Sequence, residues 1–248
     1  MIHGHVMNIK SAVISVALLA ATFSVPALAA AEEEAWKGEL GLGGVRTGGN
    51  TQIQSINATA MTGRSWGAFE LKATGKALSS SDRGASTSEK YNAGLSLNYH
   101  FSDRFFVFQD SGFTKDLFSG YTHRIIATVG VGYKVIKTEA HTLEVLAGGG
   151  IRQNKIAGVA GKTQNEGVAG GSLQYHWVIS PTSSFKQSIS SQYGKENTVS
   201  NFNSDLNMQI IGNLSAQLGF HLTHTSKVPF PSIKKTDTES TVNMVYSF

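Results

Sequence analysis

The sequence predicts an all-β protein: a transmembrane, antiparallel, up-and-down β-barrel of about twelve strands. Three observations carry that prediction. Apolar and polar residues alternate with a period of two along most of the chain after residue 31, the pattern of strands with one apolar and one wet face. That region holds no apolar run of the roughly 18 residues that a spanning helix needs. The composition is 40% hydrophobic but only 15% charged, against about 25% charged in ordinary soluble domains, so apolar and polar groups are interleaved rather than segregated.

The first segment is a targeting signal by its pattern. Lys10 precedes the apolar stretch 12–25, and "PALAAAEEE" offers small-residue cleavage after Ala29, with Ala31 as the alternative and Met7 as an alternative start. Residues 1–29 are expected to be a signal peptide and 30–248 one barrel domain. Removing Lys10 lowers the net charge of +4 by one, with no basic stripe for nucleic acid. An exported chain without cysteine cannot rely on disulfides.

The strands can be justified in order. Weakly alternating runs at 36–46 and 52–62 open the barrel. In 69–77, Phe69, Leu71 and Ala73 oppose Glu70, Lys72, Thr74 and Lys76. In 90–101, Tyr91, Leu95, Leu97 and Tyr99 oppose Asn92, Ser96, Asn98 and His100. A weak run follows at 105–113. In 123–135, Ile125, Val129, Val131 and Tyr133 oppose Arg124, Thr128 and Lys134, and in 141–152, Leu143, Val145 and Ile151 oppose Glu144 and Arg152. In 170–180, Leu173, Tyr175 and Trp177 oppose Gln174 and His176. Two weak runs, 185–193 and 203–211, precede 213–224, where Leu214, Leu218 and Phe220 oppose Gln217 and His221. The chain closes on "STVNMVYSF", with Val242, Met244, Tyr246 and Phe248 on one face.

Short turns ("TGRSW", "FSDRF", "KTEAH", "SPTSS", "IGNL") alternate with longer polar stretches ("LSSSDRGASTSEK", "TKDLFSGYTH", "QNKIAGVAGKTQN", "GKENTVSNF", "TSKVPFPSIKKTD"). One tight rim and one elaborated rim are therefore expected. Pro181, Pro229 and Pro231 all fall in connections, where a missing N–H costs no ladder bond. Aromatics gather beside the turns, and the polar face is rich in Ser, Thr, Asn, Gln and Gly. A lipid-facing barrel explains both features better than a soluble sandwich. In hydrocarbon the backbone must pair completely, so the sheet must close.

Three segments carry a family resemblance: "WKGELGLGGVRTGGNT", "HRIIATVGVGY" and "KKTDTESTVNMVYSF". Together they resemble the YdiY-like family of salt-induced outer-membrane proteins, a domain of unknown function, over about residues 36–248. The resemblance implies an outer-membrane location in a Gram-negative envelope and a link to salt stress. It supplies no substrate and no catalytic residue.

The candidate site residues are those expected to face the lumen: Glu70, Lys72, Lys76, His100, Arg124, Lys134, Glu144, Arg152, His176 and His221. Such charges either line a pore and set its selectivity or pair and fill it, since twelve strands lie between filled and open barrels. His100, His176 and His221 share the wet face with many hydroxyls, but no nucleophile signature accompanies them. The glycine strings around Gly130, Gly132 and Gly148 lack a following GK[ST], and read as bends or close approaches. Asp237 with Glu239 gives two ligands at most, too few for calcium. No cofactor, catalytic residue or metal is expected.

The expected function is non-enzymatic, a passive small-solute channel or envelope-stress barrel. The alternatives are a lipid- or lipopolysaccharide-modifying enzyme and a closed structural or adhesion barrel. Outer-membrane lipid and lipopolysaccharide are the expected surroundings. The barrel-assembly machinery and periplasmic chaperones are expected partners during biogenesis, reading a C-terminal signal of Val242, Met244, Tyr246 and Phe248.

Overall fold

The computed structural model describes residues 35–46, 53–83, 85–158 and 162–248. The expected signal segment and the "TGGNT" turn lie outside the described residues. The strands are β1 (Lys37–Arg46), β2 (Ile53–Trp66), β3 (Phe69–Asp82), β4 (Ala85–His100), β5 (Phe105–Asp116) and β6 (Tyr121–Lys137). They continue with β7 (His141–Ile156), β8 (Thr163–Ser180), β9 (Ser183–Gly194), β10 (Thr198–Ile211), β11 (Leu214–Thr225) and β12 (Thr236–Ser247). Each strand pairs antiparallel with its sequence neighbours, and β1 pairs with β12, so the twelve form a closed barrel.

Closure is finished by the last residue. Phe248 donates its N–H to Gly38 O and accepts from Gly38 N, both at 2.9 Å. A Cβ on Gly38 would overlap the Phe248 ring, so the small residue lets the tip of that ring approach the seam closely.

Both chain ends of the barrel lie at the rim of tight turns. Gly67 and Gly212 take positive φ there, 54° and 51°, as two-residue hairpin turns demand. The β2–β3 turn falls at 67–68, so "TGRSW" is the end of β2 rather than a connection. The opposite rim differs from the sequence expectation more substantially. Much of four of the long polar stretches is strand: β3 runs to Asp82 and β4 starts at Ala85, β5 runs to Asp116 and β6 starts at Tyr121, β8 starts at Thr163, and β10 starts at Thr198. Beyond the apolar band both faces of a hairpin are wet, so the ladder continues without alternation to announce it.

The outward face carries Leu42, Val129, Ile151 and Val242, all more than half exposed. Aromatic belts bound this band. On the tight rim, Trp66 stacks on Phe69 at 5.7 Å, Phe69 meets Tyr99 at 4.9 Å and Tyr99 meets Phe101 at 4.8 Å. Toward the other rim lie Tyr91, Phe113, Phe202 and Phe220. Tyr91 and Tyr99 stand at opposite ends of the β4 outward face, roughly 26 Å apart along the strand. At a strand tilt of about 40° that spans roughly 20 Å along the barrel axis, within the apolar band of about 25 Å of an outer-membrane-type barrel.

Candidate functional site

The site is the barrel interior, and the strand parity fixes what enters it. Even-numbered residues of β3 and β7 and of the inward part of β8 project inward, which brings side chains of non-neighbouring strands together. Lys76 of β3 forms an ion pair with Glu239 of β12, although β2 and β1 lie between them. Asn57 of β2 donates to Asn243 Oδ1 of β12 at 2.8 Å, passing over Gly43, where any Cβ would strike both amides.

Most of the candidate residues are engaged. Glu70 contacts His100 at 3.2 Å, and Lys134 lies 3.9 Å from Glu144. His221 meets Asp205 at 3.1 Å. The Arg124 guanidinium sits over the Tyr121 ring, 4.6 Å from its centroid.

Arg152 is the most enclosed. It donates to Glu166 Oε1 from Nε at 2.9 Å and from Nη2 at 2.8 Å. Nη2 also donates to Asn197 O at 2.7 Å and Asn197 Oδ1 at 2.8 Å. Glu166 Oε2 accepts the Glu196 N–H at 2.7 Å, and Asn197 Nδ2 donates to the Tyr121 hydroxyl at 3.2 Å. The pair thus pins the β9–β10 turn inward against β6, β7 and β8. Both side chains are almost fully buried, where a charge must be paired because desolvation is costly.

Two candidates are different. Lys72 and His176 make no ion pair or side-chain hydrogen bond among the described residues, and neither does Lys186, which faces His176 on the neighbouring strand. Lys72 and Lys186 are solvent-exposed, as are Thr74 and Gln174, although all four point into the barrel.

The interior is not uniformly polar, which corrects the sequence expectation. Phe106, Phe108 and Leu146 are buried together inside. A Cβ on Gly132 would run into the Phe106 ring, and one on Gly130 would lie 2.7 Å from Gly148 Cα. Inward glycines on β6 and β7 therefore make a bare backbone wall on which two β5 rings rest. "FFVF" concealed this arrangement, because a strand apolar on both faces shows no alternation. This cluster occupies the β5–β7 side of the lumen.

The remaining space divides along the axis. A cavity of about 500 Å3 opens at the elaborated rim, lined by Lys76, Lys90, Asp116, Asp237 and Glu239 among others. One of about 240 Å3 lies mid-barrel beside Phe108, Asp110, Gln174 and Ser188. At the tight rim, one of about 920 Å3 is lined in part by Lys37, Glu39, Glu70 and Lys72, and one of about 370 Å3 by His176, Ser184, Asn207 and Gln209.

Among the described residues no three His, Cys, Asp or Glu side chains converge as metal ligands. The nitrogens of His100 and His221 that contact carboxylates face Glu70 and Asp205. The two histidine–hydroxyl contacts, His141–Tyr175 and His224–Thr236, both 2.8 Å, carry no carboxylate on the second ring nitrogen among the described hydrogen bonds. Sequence reasoning missed Glu166, Asn197, Asp205 and Lys186. Lys186 was legible as an inward residue of the 185–193 run, whereas Asn197 fell in a stretch read as loop and Glu166 in the unassigned residues between such a stretch and the next strand run.

A family model described as a protein of unknown function, DUF481, matches residues 40–248. The uncharacterized protein YdiY of Escherichia coli (strain K12) is 28% identical over 223 residues, covering 88% of this chain and 85% of that protein. Among solved structures, the COG4313 outer membrane channel from Pseudomonas putida F1 matches with a TM-score of 0.54 at 12% identity, over 90% of this chain and 100% of that one. The NanC porin matches with a TM-score of 0.52 at 10% identity, over 86% and 98%. At these identities the likeness is one of fold: a closed antiparallel β-barrel.

Proposed function

Because the chain belongs to the DUF481 family of proteins of unknown function, we infer its role from the barrel itself: a passive, non-enzymatic channel for small polar solutes in the outer membrane. One observation carries this reading. Lys72, Thr74, Gln174 and Lys186 project inward from opposite sides of the barrel and remain exposed, so the interior between them is open to water. A filled barrel buries such groups or pairs them. The likeness to channel and porin folds supports the same reading, as does the aromatic-bounded apolar band for the membrane setting. Lipid and lipopolysaccharide surround the barrel in this account. The outward residues Val242, Met244, Tyr246 and Phe248 serve as its assembly signal. The link to salt stress rests on the family resemblance alone.

The test is conductance of the refolded protein in planar lipid bilayers. Reproducible unit openings are expected, and a silent, correctly folded barrel overturns the channel. A closed structural barrel is the second reading, favoured by the Phe106–Phe108–Leu146 cluster and by the inward-pinned β9–β10 turn. Under that reading Lys72 and Lys186 have no part in conduction, and replacing them leaves the bilayer silent as before.

A further inference from the structure

Among the inward charges, Lys72 and Lys186 stand apart. In the ring of twelve strands β3 and β9 lie diametrically opposite. Lys72 is the fourth residue of β3 and Lys186 the fourth of β9, both counted from the tight rim. The two ammonium groups therefore enter the lumen at one depth from facing walls. They lie within Coulombic range of one another. Like charges converge on a shared space without a partner only where something else supplies the opposite charge, be it water with counterions or a ligand.

The neighbouring carboxylates are largely engaged elsewhere. Glu70 is held by His100, and Asp205, the register partner of Lys186 on β10, contacts His221 through Oδ1 and makes no ion pair with Lys186. Asp110 accepts the Ser96 hydroxyl, and Glu144 faces Lys134. Glu39, also within range of Lys72, is the near carboxylate with no partner among the described residues. His176 sits beside Lys186 as its register partner and offers a further donor.

We propose that Lys72 and Lys186 form a two-point site inside the lumen for the carboxylate or phosphate group of a passing solute, with His176 as an auxiliary donor. Ammonium groups on opposite walls grip an anionic group from both sides, as rings of Lys or Arg do in anion and phosphate pores. Because carboxylates remain close by, the lumen as a whole is nearly charge-balanced. The site then discriminates by binding a multivalent anionic group rather than by a strong preference for chloride over potassium. This inference deepens the channel reading, but the site itself exists whether or not the barrel conducts.

The experiment uses the full mature chain refolded in detergent, with an amine-acylating reagent and mass spectrometry reading each lysine. Inorganic pyrophosphate and citrate are the two probes, each matched against chloride at equal ionic strength. Both lysines are expected to acylate roughly fivefold more slowly with a probe present, while Lys115 is unaffected. Protection by pyrophosphate alone assigns the site to phosphate, and protection by citrate alone assigns it to carboxylate. Lys72→Gln is expected to abolish protection of Lys186, and heat-modifiable migration checks that the variant is folded. If neither probe protects the pair more than Lys115, or if chloride protects equally, the proposal is overturned. Protection in a barrel that never conducts keeps the site and removes the channel. Conductance without protection keeps the channel and removes the site.

Discussion

Arg152 and Lys72 are both inward cations read from the same alternation, yet the barrel treats them oppositely. Arg152, toward the elaborated rim, is sealed by Glu166 and Asn197 and sees almost no solvent. Lys72, toward the tight rim, is exposed and unpaired among the described residues. The difference teaches that inward charge in this barrel has two uses. Where it is buried it builds the wall and holds a turn; where it is wet it meets whatever occupies the lumen.

The largest expected effect lies on the sealed side. Glu166→Ala strands the Arg152 guanidinium and frees the Glu196 N–H, and is expected to cost about 3–5 kcal/mol, read by denaturant unfolding of the refolded barrel. A loss below about 1 kcal/mol would mean that the buried pair is not structural. Phe106→Ala is next, at about 3 kcal/mol for an emptied aromatic position, by the same unfolding assay. Gly132→Val is expected to destabilise by about 1–3 kcal/mol through overpacking; if it is neutral, the Phe106 ring does not rest on that wall.

Deleting Phe248 removes two backbone hydrogen bonds and the ring over Gly38. About 1–2 kcal/mol is expected in vitro, with a larger fall in membrane-inserted, heat-modifiable protein in cells. Normal insertion would reduce this end to a plain strand end. The smallest stability effect belongs to the wet side: Lys72→Gln with Lys186→Gln is expected to stay within about 0.5 kcal/mol of the parent.

The same contrast marks what was legible in the sequence. Wherever one face meets lipid and the other water, alternation located the strand, as in β3, β4 and β11. It failed where both faces are alike. The hairpin of Ser79, Ser80 and Ser81 against Ser86 and Ser88 is wet on both sides and reads as loop. Phe105–Phe108 is apolar on both sides and hides its inward rings. Candidate site residues followed from parity, but their partners did not. Lys76 finds Glu239 only after β1 and β12 close the ring, and Arg152 finds Asn197 only after a turn folds inward. Such pairings depend on closure and stagger, which local spacing does not encode.

The central claim is that an open polar lane runs past Lys72 and Lys186. It is tested most directly by comparing single-channel conductance of the parent with that of a Lys72→Trp, Lys186→Trp variant shown to be folded. Two indoles entering from opposite walls are predicted to cut unit conductance by roughly half or more. Unchanged conductance in that variant would contradict the account, because ions would then be crossing somewhere other than the lane between β3 and β9.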